Sequence, residues 1–512
     1  MQLMTNTETV APDAPFQITQ HQIRMVYAGM MTAVMLAALD GTIVNTALTT
    51  IVGELGGFRA YTWVTTSYLL ASTAATPLFG KLSDIYGRQL FVKIAVIAFI
   101  VGSLLCAMAN SMTFLVAARG VQGVGGGGIM AMSYVVIADI VSPRDRGRYV
   151  GAFMSVFAVS SVAGPLLGGF FVEQLNWRWI FLINIPIGII ALIVTASSLK
   201  LPFIPRPTEI DYRGAFLLIS TVASLILMFS WTSEEYGWAS SANITMAALT
   251  CILLTLFIWT EPRTANPIMP LRLFRNPVMQ VVLPMIAILG AMLMSVGAFM
   301  PLFLQAVTGI SPTNSGLLLV PMMGMTTISG LVVGRRTSAT GSYRKWPILG
   351  TGAAIVGMCS LTFIDDTTFG LTMSVIGMAF IGFCVGGTMP TSTLAVQNSV
   401  EFADIGVASS TVILFRSLGN TVSLAAFGAL VNGQLKSNLS PENLAHLSKP
   451  RLIHLLPEPA KSVVMDAMTN AISLVFKVLI PFVVIAFVLA LILEERPLRN
   501  TTALENGQTT TD

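Results

Sequence analysis

Apolar runs of about 20 residues recur along this chain with only short polar connections between them, a spacing that leaves few folds open. Lipid offers no partner to backbone N–H and C=O groups, so each crossing segment must satisfy them internally, as a helix. The runs lie near 25–48, 61–80, 90–109, 112–138, 148–173 and 179–198, then near 213–231 and 241–259. Six more lie near 279–303, 314–334, 346–364, 370–397, 406–432 and 469–493. The expected class is an all-α integral membrane protein with 14 transmembrane helices. Only 10% of the residues are charged, against roughly 25% in soluble domains, which fits a chain whose solvent is mostly lipid. The last run is the weakest, because it carries Lys477 about two turns in, where a lysine snorkels to the interface.

The placement of cations orients these spans. Lys81, Arg88, Lys93, Arg144, Arg146, Arg148, Arg263, Arg272, Arg275, Arg335, Arg336 and Arg344 all fall in one alternate set of connections, whereas the opposite short connections hold Arg59 and Arg178. Cation-rich connections stay in the cytoplasm, so both termini are expected there. The stretch 398–405 departs from the rule with Glu401, Asp404 and no cation, and the other connections outweigh it. Residues 1–24 and 494–512 read as polar cytoplasmic tails. Residues 25–198 read as an N-terminal six-helix bundle and 199–278 as an inserted helix pair, helices 7 and 8, with flanking loops. Residues 279–493 read as a C-terminal six-helix bundle with an extracytoplasmic loop over 433–468. A faint repeat supports the two halves. Gly80 and Gly87 follow the second run; Gly334 and Gly341, at the same spacing, follow the tenth, with Ser338 where the first copy has Asp84. Repeated halves of this kind commonly hold a transported substrate between them near the midplane.

The connection Gly80-Lys-Leu-Ser-Asp-Ile-Tyr-Gly-Arg-Gln89 is tight enough only to join two helices on one face. Gly80 and Gly87 permit a sharp turn and close backbone approach. Asp84 can meet the N-terminal end of a neighbouring helix, and Lys81 and Arg88 suit the cytoplasmic face.

Charges inside lipid are costly, and each asks for a reason. The clearest are Asp40 in the first span, Arg119 in the fourth and Arg416 in the thirteenth. At ~1.5 Å rise per residue, Asp40 and Arg119 fall at similar depth, ~10–12 Å below the outer surface. They can form an ion pair if their helices touch. The Arg charge favours the ionised acid, while burial favours the protonated one. Two readings follow: a carboxylate that exchanges protons in the working range, or a static buried pair that fixes helix packing. Asn45 and Gln122 extend this polar stripe, as substrate-pathway groups or as hydrogen-bonded glue between helices.

The fourth span continues Gln122-Gly-Val-Gly-Gly-Gly-Gly128. It lacks the GK[ST] ending of a phosphate loop, and its small residues let another helix come close. Gly164, Pro165, Gly168 and Gly169 in the fifth span combine a kink with a smooth face that slides or simply packs. Met292 and Met322, in the methionine-rich ninth and tenth spans, suit a pocket for varied apolar shapes or plain core filling.

Several function classes are excluded. Cys106, Cys251, Cys359 and Cys384 lie inside apolar runs without CxxC spacing, so neither a metal site nor a disulfide framework is expected. His21, His446 and His454 lie outside the spans. No GxSxG, HExxH or Walker motif is present. Neither an enzyme nor an ATP-driven pump is expected, and no nucleic-acid partner.

Together these residues resemble the 14-helix drug:proton antiporter family of the major facilitator superfamily, the EmrB/QacA type. Leu39-Asp-Gly-Thr-Ile-Val-Asn-Thr-Ala-Leu48 is similar to that family's first-helix motif, with Thr49 where Pro is usual. Gly80 to Gln89 resembles its helix 2–3 loop motif, with Ile85 in place of a common basic residue. Arg119, Gln122 and Gly123 match the fourth-helix motif linked with proton coupling. Gly151, Gly164, Pro165, Gly168 and Gly169 match the antiporter motif of helix 5, with Ser160 where Gly is usual. Trp177 to Gly188 and Asp211-Tyr-Arg-Gly214 also look like this family.

The resemblance implies a major facilitator fold of two six-helix bundles plus two inserted helices, in a bacterial plasma membrane. It implies a proton gradient as energy source and no cofactor. The implied cargo is lipophilic small molecules exchanged for protons. Asp40 and Arg119 would serve proton coupling, and Gly80, Asp84, Gly87, Arg88 and the helix 5 motif the conformational switch. Acidic residues well inside the second-half spans, found in relatives that export dications, are absent here. Monocationic, zwitterionic or neutral cargo is therefore expected. A specific metabolite exporter or symporter on the same scaffold is the alternative.

Overall fold

Helices begin where the sequence offers a partner to the first free backbone N–H groups. Ser111, Ser240, Asn276 and Thr367 each accept from an N–H two or three residues on, at 3.3, 3.2, 2.9 and 3.2 Å. Pro143 and Pro277 open helices where no N–H is needed. The computed structural model describes residues 19–55, 61–199, 211–231, 239–310, 318–440 and 457–499.

The N-terminal half comprises α1 (Gln20–Leu55), α2 (Tyr61–Tyr86), α3 (Arg88–Ala107), α4 (Met112–Ile140), α5 (Pro143–Gln174), the one-turn α6 (Trp179–Leu182) and α7 (Asn184–Ser198). Then come α8 (Tyr212–Trp231) and α9 (Ser241–Thr260). The C-terminal half is α10 (Pro277–Ala306), α11 (Val320–Thr340), α12 (Lys345–Ser360), α13 (Thr368–Ser399), α14 (Ile405–Asn438) and α15 (Ala460–Ile492). Among the described residues there is no strand.

Among the described residues, twelve helical segments are long and apolar enough to cross a membrane, against an expectation of 14 from the sequence. The two that fall short are α2 and α11. Both have the length, 26 and 21 residues. Ser, Thr and Gly dilute their apolar content, and their ends carry Lys81 and Asp84 or Arg335 and Arg336. The connection expected over 433–468 is also shorter than its composition suggests. Leu435, Val464 and Met468 are buried and continue the helical packing, so α14 runs on to Asn438 and α15 starts at Ala460. Residues 441–456 lie outside the described part, as do most of the two tails.

Each half has its own packing centre. Residues such as Val34, Val92 and Val135 gather one end of the N-terminal half, and Ile51, Leu115 and Trp177 the other. The C-terminal half packs around Met285, Phe303 and Phe476. Leu218, Val222, Ile226 and Phe257 of the inserted pair join that same C-terminal core, while α8 also packs on α2 and α14.

The halves meet along two seams at the end where the cation-rich connections gather, the basic end. In the first, α2 lies on α14; in the second, α5 lies on α11. A Cβ on Gly80 would stand 2.6 Å from Ser410 Oγ and 2.9 Å from the Gly406 carbonyl. A Cβ on Gly147 would stand 3.1 Å from the Gly334 carbonyl, and one on Gly151 would collide with the Gly330 carbonyl. Midway along, Thr73 and Ser417 share a hydrogen bond of 2.8 Å across the first seam. Gly87 after α2 and Gly341 after α11 have φ of 96° and 72°, where a side chain would be strained. The two glycines of the faint repeat thus share a positive φ, although their ψ values of 142° and 0° differ.

Candidate functional site

Span geometry alone brings a polar group into the N-terminal half. α4 crosses beside α2 and α3 with almost no side-chain bulk between them. Cβ atoms on Gly123, Gly126 and Gly127 would strike Tyr68 or Ser72 of α2, and one on Gly125 would strike Phe99 of α3. The glycine run of α4 is therefore a close-packing device. A Cβ on Gly102 of α3 would collide with the Gln122 backbone. That closeness carries Arg119 and Gln122 to the wall of α1.

There the structure brings Asp40 and Arg119 together. Asp40 is 0% and Arg119 2% exposed. Arg119 Nη1 donates to Asp40 Oδ2 at 2.6 Å and to Gln122 Oε1 at 2.6 Å, and Nε donates to the Val64 carbonyl at 3.3 Å. The guanidinium also lies 4.3 Å from the centre of the Tyr68 ring, a cation–π contact. The other carboxylate oxygen, Asp40 Oδ1, accepts from Gln122 Nε2 at 2.8 Å and from Asn184 Nδ2 at 2.9 Å. Ser103 Oγ braces both amides, at 2.8 and 3.3 Å. Every partner of the Asp40 carboxylate is thus a donor, as an ionised acid requires. Asn184 Oδ1, buried beside it, has no hydrogen-bond partner among the described residues.

The other expected residues fall in different places. Asn45 lies on α1, but its side chain is outside the described residues, as is that of Pro165 on α5. Met292 has 0% and Met322 5% exposure, and both belong to the C-terminal core. They pack there, apart from the Asp40 group. Gly164 lets α5 press on α1 at Thr42 and Ile43. Gly168 is buried, whereas a Cβ on Gly169 would meet nothing within 4 Å. Arg416 of α14 lies against Gly290 of α10 and does not join the Asp40 group.

At the first seam, Arg88 pairs with Asp84 and with Asp139 Oδ2, the latter at 2.6 Å, and donates to Ser83 Oγ at 2.7 Å. The Asp84 carboxylate faces the first turn of α14: both its oxygens stand 2.7 Å from where a Cβ on Gly406 would be. Asp84 lies past the apolar run of α2, and burial, outweighing the Arg88 charge, pushes its carboxyl up to about 6. At the second seam Arg144 Nε donates to the Ser338 carbonyl at 3.1 Å.

Sequence reasoning missed Asn184, Ser103 and Asp139. Asn184 opens α7 and reads locally as a turn residue. Ser103 sits in an apolar run where serine is unremarked. Asp139 lies near the end of α4, one residue past the apolar run read at 112–138 and next to the cation-rich connection, where an acid draws no notice.

Residues 30–424 match the Major Facilitator Superfamily. The chain is 36% identical over 488 residues to an MFS-type transporter of Mycobacterium tuberculosis, covering 93% of this chain and 70% of that one. It is 37% identical over 435 residues to the multidrug transporter protein MdtP of Bacillus subtilis, covering 84% and 79%. Among solved structures, the human organic anion transporter MFSD10 superposes with a TM-score of 0.59 at 15% identity, covering 89% of this chain and 99% of that one. That likeness speaks to the fold.

Proposed function

The chain belongs to the Major Facilitator Superfamily, and on that premise we propose that it is a proton-driven multidrug efflux transporter. Its cargo would be lipophilic cationic or neutral compounds, exchanged for protons across a bacterial plasma membrane. In this reading α2 and α11 also span the bilayer, giving 14 transmembrane helices in two six-helix halves with α8 and α9 inserted. The basic end and both termini face the cytoplasm. The relative named a multidrug transporter supports the cargo class.

The observation that carries the reading is the buried Asp40–Arg119 pair with its amide partners. Two charges this deep are a poor investment for stability alone, since a well-packed apolar pair of the same volume is often as good. A carboxylate held between burial and a guanidinium can take and lose a proton as its surroundings change. A proton entering from the end opposite the basic one would neutralise Asp40 and free Arg119 toward the Val64 carbonyl and the Tyr68 ring. Loss of that proton to the cytoplasm would restore the pair. Asp84, Arg88 and the seam glycines would set which end is closed.

Dye efflux from proteoliposomes against an imposed proton gradient tests this. Asp40→Asn should abolish proton-coupled efflux, and a wild-type rate from that variant would sink the coupling role. Removing one partner of a buried pair costs about 3–5 kcal/mol, so Asp40→Asn/Arg119→Gln serves as the folding control. Dye moving inward with the proton would instead indicate a symporter.

A further inference from the structure

The Asp211-Tyr-Arg-Gly214 stretch takes no part in the transport cycle argued above, yet it builds a buried acidic pair. Asp211 precedes α8 and Glu261 follows α9; they are 7% and 1% exposed. Asp211 Oδ1 accepts the Gly214 N–H at 2.8 Å, and Glu261 Oε1 accepts the Met269 N–H at 2.5 Å. The second oxygen of each, Asp211 Oδ2 and Glu261 Oε2, is buried with no hydrogen-bond partner among the described residues. These two oxygens converge on Gly214. A Cβ there would collide with Asp211 Oδ2 and stand 2.9 Å from Glu261 Oε2. Those two contacts put the oxygens no more than about 5 Å apart, and two buried carboxylates within that range cannot both ionise cheaply.

We propose that Asp211 and Glu261 form a proton-binding site, separate from Asp40, in which one proton is shared between Asp211 Oδ2 and Glu261 Oε2. A single O–H···O bond gives both orphaned oxygens a partner and leaves the pair with one negative charge. Lys81 of α2 acts on Glu261 electrostatically and offsets that charge. Lys81 and Glu261 also line a cavity of about 550 Å³ with Arg272, Arg275 and Asp404, of which Arg272 and Asp404 pair with each other at 2.9 Å. Arg213 on α8 is exposed, and Arg263 folds back onto the Trp259 carbonyl. A proton suits the site better than a metal ion. Among the described residues no three His, Cys, Asp or Glu side chains come together, whereas Ca²⁺ takes about 6–8 oxygen ligands.

The site joins the start of α8 to the end of α9 on the basic face. A proton bound more tightly in the folded protein than in the unfolded chain contributes stability at low pH, and that contribution fades as pH rises through the site's folded value. The inference goes beyond the transport reading, and its test uses no transport readout.

The full-length protein in lipid nanodiscs is followed by infrared difference spectroscopy and by thermal unfolding across pH, all variants being made also in an Asp40→Asn/Asp84→Asn background to remove the bands and titration of those two acids. Wild type should show a carboxylic-acid C=O band that titrates away as pH rises, and Glu261→Gln should lack it. Relative to Glu261→Gln, the wild-type stability should fall with pH at a slope of about one proton. Asp211→Asn keeps the oxygen that accepts from Gly214 and should flatten the pH dependence in the same way. Parallel pH profiles in all three proteins with no acid band would overturn the proposal. So would a melting temperature raised by Na⁺ or K⁺ at fixed pH with both acids ionised.

Discussion

The two seams at the basic end occupy matching places in the two halves, yet they are built from different forces. In the first, α2 meets α14 through close packing at Gly80 and through a buried acid: Asp84 faces the first turn of α14 and is held by Arg88, which also pairs with Asp139 within the N-terminal half. In the second, α5 meets α11 through shape: glycine lies on backbone at Gly147, Gly151, Gly330 and Gly334, and Ser338 stands where Asp84 would be. A charged seam can be set and released by protons or partner ions, because its strength depends on ionisation. A glycine seam has no such control, and only steric bulk alters it. In the proposed cycle, the difference would give switching to the first seam and close fit to the second.

The largest effect should come from breaking the shape of the second seam. Gly151→Leu places bulk against the Gly330 carbonyl, and overpacking of that kind costs about 3 kcal/mol, a roughly hundredfold shift against closure. Cysteine cross-linking between α5 and α11 reads the closed fraction directly; an unchanged yield would show that the seam has slack. Asp84→Ala in the first seam should cost less, about 1–2 kcal/mol, because Arg88 keeps Asp139. Substrate binding should survive while turnover slows. Binding lost together with turnover would mean a folding defect.

The charged seam should also respond to pH. Burial raises Asp84 from 3.8 to about 6. The closed seam therefore holds the proton more tightly than an open, solvated one. Its contribution to closure is full below 3.8 and is lost as pH rises through about 6. Asp84→Asn mimics the protonated form and should keep cross-linking between α2 and α14 high at alkaline pH, where wild type weakens. A variant that tracks wild type at every pH would remove Asp84 from this role. The smallest effect should follow Ser338→Asp, which gives the second seam an acid beside Arg144. A partly exposed pair adds about 0.5 kcal/mol, enough to make closure there sensitive to salt where the wild-type seam is not.

Most of the architecture was legible because lipid enforces it: a helix that must satisfy its own backbone over the bilayer's thickness announces itself as a long apolar run. The runs of α2 and α11 were read as spans too, although small polar residues and the polar ends that lie at the seams dilute their apolar content. Asp40 and Arg119 were readable from rise per residue alone, since helices of one bilayer share a depth scale. Asn184 and Ser103 were not, because their distance from Asp40 along the chain carries no depth anomaly and both are small, common residues. Glu261 hid for another reason. It ends a span beside Pro262 and Arg263, where an acid reads as an interface residue, and the start of α8 at Gly214 and the return of the chain at Met269 both lie against it.

The inserted helices hold a final implication. Leu218, Val222 and Ile226 of α8 share the core of the C-terminal half, while α8 also touches α2 of the other half. A body that touches both sides of a rocker couples them, because one of its two contacts must give when the sides move. If the halves tilt, α8 must slide along α2 or along α14. A bulky residue placed at the α2–α8 interface would then act as a brake on such a tilt without touching substrate, proton or either seam.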